Sequence, residues 1–163
     1  MDYLWTPWRY RYVSQAGRES GCIFCQAAEL GDDSRALIVY RGRKNFIILN
    51  LYPYTTGHSM VVPYAHVADL VECDDETLEE MMRLARRLRL AFGELYHPQG
   101  YNVGMNLGHA AGAGVAEHLH LHVLPRWTGD TNFMTTIGET RLQPEDLAVT
   151  YDRLHRALRE TNP

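Results

Sequence analysis

The chain has 163 residues, 45% of them hydrophobic and 22% charged, with a formal net charge of −4 and a sequence pI of about 6.0. An acidic chain has no surplus of Lys and Arg to displace counterions, which argues against a nucleic-acid partner but leaves room for a small phosphorylated ligand. Three cysteines are too few for a disulfide framework, no basic-then-apolar leader opens the chain, and no window suits a membrane span. The expectation is a single domain over residues 1–163, cytoplasmic, with reduced thiols and no membrane partner.

Residues 1–20 form an aromatic-rich N-terminal extension carrying Tyr3, Trp5, Trp8, Tyr10 and Tyr12. Those rings need burial, either on the chain's own core or in a subunit contact. "GCIFCQAAELG" places Cys22 and Cys25 at the start of a short helical stretch that Gly31 ends. "ALIVYRGRKNFIILN" reads as two β-runs, Ala36–Tyr40 and Asn45–Asn50, about a turn at Gly42. "HSMVVP" is a third strand stopped by Pro63. A long helix is predicted from about Asp75 to Tyr96, with Leu78, Met81, Met82, Ala85, Leu88, Phe92 and Leu95 as its apolar stripe. Its acidic residues come first and Arg83, Arg86, Arg87 and Arg89 later, an order that complements the helix dipole and reads as a solvated face with intrahelical ion pairs. "YNVGMNLG" is a fourth strand and "EHLHLHVLPRW" a fifth. Pro144 to Arg159 reads as a closing helix with Pro144 and Glu145 in its first turn. The whole is an α+β fold: an antiparallel sheet of about five strands, one long central helix and a C-terminal helix.

The fifth strand spends three of the chain's eight histidines on alternate positions, His118, His120 and His122. Side chains alternate across a strand, so the three imidazoles share one face and Leu119, Leu121 and Val123 the other. The apolar face suits the core against the long helix, which leaves the histidines towards solvent or a cleft. Three chemistries fit: a polar strand face, a metal grip, or a nucleophile with helpers. A single ion cannot gather all three, because the outer pair lies roughly 13 Å apart along a strand. A neutral imidazole, by contrast, attacks phosphorus well once its other nitrogen donates to an acceptor that fixes the tautomer. The preceding loop, "LGHAAGAGVAE", offers Gly108, Gly112 and Gly114, small residues that let backbone N–H groups approach a phosphate. His109 lies in that loop but is not counted among the site residues, and His155 on the closing helix is expected to be solvated.

"HLHLHVL", "CIFC", "ILNLYPYTTGHSMVVPYAH", "HVLPRWTGDTNF" and "LWTPWR" together resemble the histidine triad (HIT) superfamily, in the bacterial branch that contains diadenosine tetraphosphate phosphorylases. The likeness covers nearly the whole chain. It implies a homodimer or higher homo-oligomer and attack by the middle histidine on the α-phosphorus of a nucleotide, with an adenine nucleotide as partner and no catalytic cofactor. By motif, His120 is the nucleophile, with His122 as a phosphate contact and His118 as a structural or metal ligand beside it. Asn50, His58, Asn106 and Trp127 fall at substrate-binding positions, with Gly112 and Gly114 in the phosphate loop. Many members carry Gln or Ser three or four residues before the first histidine of the triad; here those positions are Gly114 and Val115, which offer only backbone N–H groups. A catalytically weak nucleotide-binding or sensing protein is the alternative reading.

On its own, Cys22-x-x-Cys25 is a redox pair or two buried thiols. Relatives that bind zinc combine such a pair with a histidine after the "VVP" strand and the first histidine of the triad, here His66 and His118. The resemblance thus implies a closed structural zinc site of Cys22, Cys25, His66 and His118. Cys73 has no evident partner.

Overall fold

The computed structural model describes residues 21–132, 135 and 143–160, so the aromatic extension and its two alternative placements lie outside the described residues. Helix α1, Ile23–Glu29, starts from Cys22 as its N-cap and buries Phe24. The first departure from the sequence reading follows directly. The segment after Gly31 folds as a short helix, α2, Asp33–Ala36, because the Asp32 side chain accepts from the backbone N–H groups of Ser34 and Arg35. Leu37 then reverses the chain in the left-handed region, so β1 is Ile38–Arg41 and not Ala36–Tyr40.

Strands β2, Asn45–Leu49, and β3, Ser59–Pro63, are buried along their whole lengths. The antiparallel sheet is completed by β4, Gly100–Gly104, and β5, Leu121–Arg126, in the order β1-β2-β3-β5-β4. The long helix α3 spans Asp75–Tyr96 as predicted, capped by Asp74, whose side chain accepts from Thr77 N–H at 2.7 Å. Its stripe holds at Met81, Ala85, Leu88 and Phe92 and widens to Leu84 and Ala91. Met81, Leu84, Ala85, Leu88, Ala91 and Phe92 are buried, whereas Met82 is 58% exposed. The closing helix α4 is Leu147–Glu160 and starts later than predicted. Asp146, not Pro144, sets its first turn by accepting from Ala148 N–H, and Glu145 turns away to accept from Tyr96 and Thr150.

The sheet separates two apolar layers. On one face α3 and α4 pack on Val39, Ile47, Leu49, Val61, Leu119, Leu121 and Val123. On the other, Phe24 of α1 covers Ile38, Phe46, Ile48, Met60 and Val62. Burying each such side chain stabilises the fold by about 1.5–3 kcal/mol. The predicted division of the histidine strand therefore holds for its leucine face. Arg83, Arg86 and Arg89 are exposed, but Arg87 stacks 4.2 Å over the Tyr40 ring and donates to the Leu158 carbonyl. The acidic half of α3 reaches the β1–β2 turn. Glu80 accepts from the N–H groups of Arg43, Lys44 and Asn45, and Glu76 pairs with Arg43. His155, expected to be solvated, is half-buried: its Nδ1 donates to the Val39 carbonyl and its ring stacks on Tyr151. Among the described residues no helix is long and apolar enough to cross a membrane.

Candidate functional site

Only one of the three alternating histidines lies inside the β ladder. β5 pairs with β3 from Ser59–Val123 to Val61–Leu121, and His122 sits opposite Met60. Before Leu121 the chain leaves the ladder, because its bonds go elsewhere. Leu119 N–H donates to the Val67 carbonyl at 2.7 Å, and His118 Nε2 donates to the Pro63 carbonyl at 2.9 Å. The alternation of faces survives. His118 is 1% exposed and His120 6%, and both meet the Phe24 ring, at centroid distances of 5.4 and 5.1 Å. His118 and His120 thus lie under α1 and His122 beside a cavity, not in open solvent.

Each histidine has its tautomer set by a neighbour. His120 Nδ1 is 2.9 Å from the His118 carbonyl, a pure acceptor, so the proton sits on Nδ1 and Nε2 carries a lone pair. His118 donates through Nε2, which leaves the lone pair on Nδ1. His122 is set in two steps. The Tyr54 backbone N–H donates to His58 Nδ1 at 3.1 Å, so neutral His58 holds its proton on Nε2. That nitrogen lies 2.9 Å from His122 Nδ1 and donates to it, which places the His122 proton on Nε2. Burial pushes the pKa of all three downward, that of His122 to about 4 with help from neighbouring His120. The set is therefore neutral at pH 7: a nucleophilic lone pair at position 120 beside an N–H donor at position 122.

His58 reaches this position because Gly57 precedes it at φ +82°, where a Cβ would meet Phe92 at 3.0 Å and Pro125 at 3.2 Å. His58 is 1% exposed and stands behind His122, not against ligand space. Asn50 serves the same loop: its Oδ1 accepts from Tyr52 N–H and its amide nitrogen lies 3.4 Å from His58 Nδ1. A cavity of about 620 Å³ opens beside His122 and runs over β4 and β5, lined by Asn106 and Trp127 among others. Asn50, His58, Gly112 and Gly114 do not line it. Gly112 closes a short 3₁₀ turn at φ +88°, and Gly112, Gly114 and His109 are all exposed. The sequence reading missed the Arg126–Asp130 pair and Asn102, which line the same cavity; their one early signal was that Leu124 and Arg126 share a strand face with His122.

On the other side of His118, Cys22, Cys25, His66 and His118 come together, with one ligand atom from each within 4.8 Å of all the others. His118 Nδ1 lies 3.1 Å from Cys22 Sγ, 3.6 Å from Cys25 Sγ and 3.2 Å from His66 Nδ1, and Cys25 Sγ lies 3.4 Å from His66 Nδ1. A tetrahedral ion at about 2.3 Å from sulfur and 2.0 Å from nitrogen spaces its ligand atoms about 3.3–3.8 Å apart. The cluster fits that geometry, and the His118 lone pair already points into it because the Pro63 carbonyl holds the opposite nitrogen's proton. Cys73 is not part of it.

This is an α+β protein whose five-stranded sheet carries a buried histidine constellation between a ligand-sized cavity and a four-residue Cys/His cluster. The chain belongs to the HIT family: residues 32–129 match the HIT domain. It is 40% identical over 153 residues to a Mycobacterium tuberculosis protein named AP-4-A phosphorylase, with 89% of this chain and 78% of that one covered. A zinc-bound histidine triad family protein from Mycobacterium smegmatis superposes with a TM-score of 0.70 at 32% identity, over 86% of this chain and 94% of that one. A protein described as a hypothetical histidine triad nucleotide-binding protein, from Sulfolobus tokodaii, superposes with a TM-score of 0.67 at 26% identity, over 85% of this chain and 92% of that one.

Proposed function

We propose that the chain cleaves dinucleoside polyphosphates, or related nucleotide conjugates, at the α-phosphate through a nucleotidyl-histidine intermediate. The observation that carries this reading is the pair of opposite tautomers: a bare Nε2 on His120 and a protonated Nε2 on His122, two residues apart on one face. His120 Nε2 forms a bond to the α-phosphorus while the bond from phosphorus to the leaving oxygen breaks. The leaving polyphosphate departs as an anion, its new charge held by the His122 N–H. The imidazole, now bonded at both nitrogens, keeps its Nδ1–H on the His118 carbonyl, which stabilises the positive charge it has gained. Phosphate, or water that gives up a proton to the solvent, then attacks the same phosphorus, and His120 leaves with its electron pair.

Incubation with diadenosine tetraphosphate, with and without inorganic phosphate, tests both the chemistry and the acceptor. ADP plus ATP formed only with phosphate marks phosphorolysis, and AMP plus ATP formed without it marks hydrolysis. Tight binding with no product in either case contradicts an enzyme and supports the sensing alternative.

His58 acts through His122 and serves as a positioning residue. In His58→Gln the side-chain amide still donates from near the Nε2 position, whereas His58→Phe leaves His122 Nδ1 without a donor. The expected result is a fall in kcat/KM of about tenfold to a hundredfold for Phe, with most of the rate restored by Gln. Nitrogen-15 spectra of His122 report the cause, showing the Nε2–H tautomer in wild type and Gln and a mixture in Phe. An unchanged tautomer in the Phe variant contradicts the assignment.

The proposal extends to zinc in the Cys22, Cys25, His66 and His118 cluster, supported by the tetrahedral spacing of the donors. Two thiolates and two imidazoles close the coordination sphere, so the ion supplies a cross-link and no open position for substrate. It ties α1 to the segment after β3 and to the residue whose carbonyl holds the His120 tautomer.

A further inference from the structure

Cys22 and Cys25 lie at the start of α1, and neither lines the cavity. Cys22 is the N-cap, in extended backbone at φ −79° and ψ 123°, and its side chain caps no backbone N–H. Phe24, between the two, is buried against the sheet. The two sulfurs lie within 4.8 Å of each other, so a disulfide of about 2.05 Å needs them to close by at most about 3 Å. Side-chain rotation covers that distance at Cys-x-x-Cys spacing, which is the spacing of pairs that open and close reversibly.

Access comes from one side. His118 is 1% exposed and forms the floor of the cluster, whereas His66 and its contact with Cys25 are exposed. Cys22 Sγ sits deeper, 3.1 Å from His118 Nδ1. A small oxidant therefore meets Cys25 first, with Cys22 behind it. The third thiol is out of reach: Cys73 packs on the apolar layer of α3 and α4, and Cys22 on the opposite one.

From these features, and resting on the zinc reading above, we propose that Cys22 and Cys25 form an oxidation site, closed to a disulfide by hydrogen peroxide, and that closure empties the metal site. The Cys25 sulfur, a thiolate when the cluster is loaded, bonds to one peroxide oxygen. The O–O bond breaks, hydroxide leaves and is protonated to water, and Cys25 becomes a sulfenic acid. The Cys22 thiolate then attacks that sulfur. The S–S bond forms, the S–O bond breaks, and a second hydroxide leaves to become water. Each sulfur gives up one electron and the peroxide takes two, so the zinc ion keeps its charge. Thiolate is the ligand form of cysteine, so closure leaves His66 and His118 alone, two donors where a structural site needs four. His118 then loses its hold through Nδ1. Its carbonyl fixes the His120 proton, so oxidation slows turnover as well.

The test treats reduced, zinc-loaded protein with hydrogen peroxide in small molar excess. Zinc is followed with a chromogenic chelator and the cysteines by mass spectrometry after alkylation, two readouts that do not depend on turnover. The expected result is release of the bound zinc, a chain lighter by two hydrogens, and a Cys22–Cys25 cross-link with Cys73 still open to alkylation. On diadenosine tetraphosphate kcat/KM falls by about tenfold or more, and dithiothreitol with zinc restores it. Cys73→Ser shows the same release and the same mass change. Cys22→Ser instead gains oxygen on Cys25 and loses no hydrogens. Wild type that keeps its zinc and both reduced thiols overturns the oxidation site and leaves the zinc reading standing. Zinc release with sulfinic acid in place of the disulfide also overturns the oxidation site. Protein that carries no zinc as purified but closes the disulfide overturns the zinc reading and leaves the cysteine pair standing. A closed disulfide with kcat/KM unchanged overturns the link to His120.

Discussion

Replacing His120 by Asn is expected to lower turnover of diadenosine tetraphosphate by at least about a thousandfold, with the fold intact. The size follows from the arrangement. The Asn amide nitrogen falls near the position of imidazole Nδ1 and still donates to the His118 carbonyl, so the loop keeps its geometry. What is lost is the lone pair on Nε2, and His58 and His122 cannot replace it: His58 Nε2 and His122 Nδ1 are committed to each other, and His122 Nε2 carries a proton. The side chain is buried beside Phe24, so a modest cost in packing is expected, a shift in Tm of no more than about 4 °C. The check is kcat/KM and a thermal melt on the same preparation. Loss of both activity and fold says nothing of chemistry, so His120→Gln serves as the second variant. Turnover within tenfold of wild type in a folded Asn or Gln protein removes His120 as nucleophile.

Removing the metal is expected to have the largest effect on stability. Protein purified without chelator is expected to contain about one zinc per chain, and prolonged chelation or Cys22→Ala to destabilise it by about 4 kcal/mol or more, roughly 8–16 °C in Tm. Without the ion, two thiols and two imidazoles are left crowded within 4.8 Å, with two ring nitrogens facing each other at 3.2 Å. The segment they join is also short of other ties. α1 has seven residues and one fully buried side chain, Phe24. Release of α1 withdraws that ring from His118 and His120, so activity falls with stability. Cys22→Ala is expected to lose any further response to chelator. Protein free of zinc, together with an unchanged melt for Cys22→Ala, contradicts the metal site.

The parts of the fold that could be read from sequence are those set by local pattern. α3 ends where its stripe and the Asp74 cap put it, and the hairpin at Gly42 follows from two apolar runs. The stripe was legible except at Met82, which lies four residues after Leu78 and three before Ala85 and so fits the same steps; only the packed sheet leaves it out and takes in Leu84 and Ala91. The helix after Gly31 was hidden by the apolar run that follows it, although the Asp32 cap was in plain view.

The site divides in the same way. Alternation alone put three histidines on one face, but not their separate surroundings. The break of the ladder at Leu121 depends on Pro63 and Val67, more than fifty residues earlier, whose carbonyls capture His118 and Leu119. His58 was legible as a position after a glycine and not as the partner of His122, 64 residues away. Trp127 was visible by resemblance, whereas the charge cancellation at Arg126 and Asp130 needed the turn that follows β5.

Trapping the intermediate tests the central claim most directly. Wild-type protein mixed with excess diadenosine tetraphosphate, quenched within its first turnovers under alkaline denaturing conditions and mapped by mass spectrometry, is expected to carry one adenylyl group on His120. The label is absent in His120→Asn and vanishes from wild type on a chase before the quench. An adenylyl group on His122 or His58, or turnover with no covalent label at any time, contradicts the account.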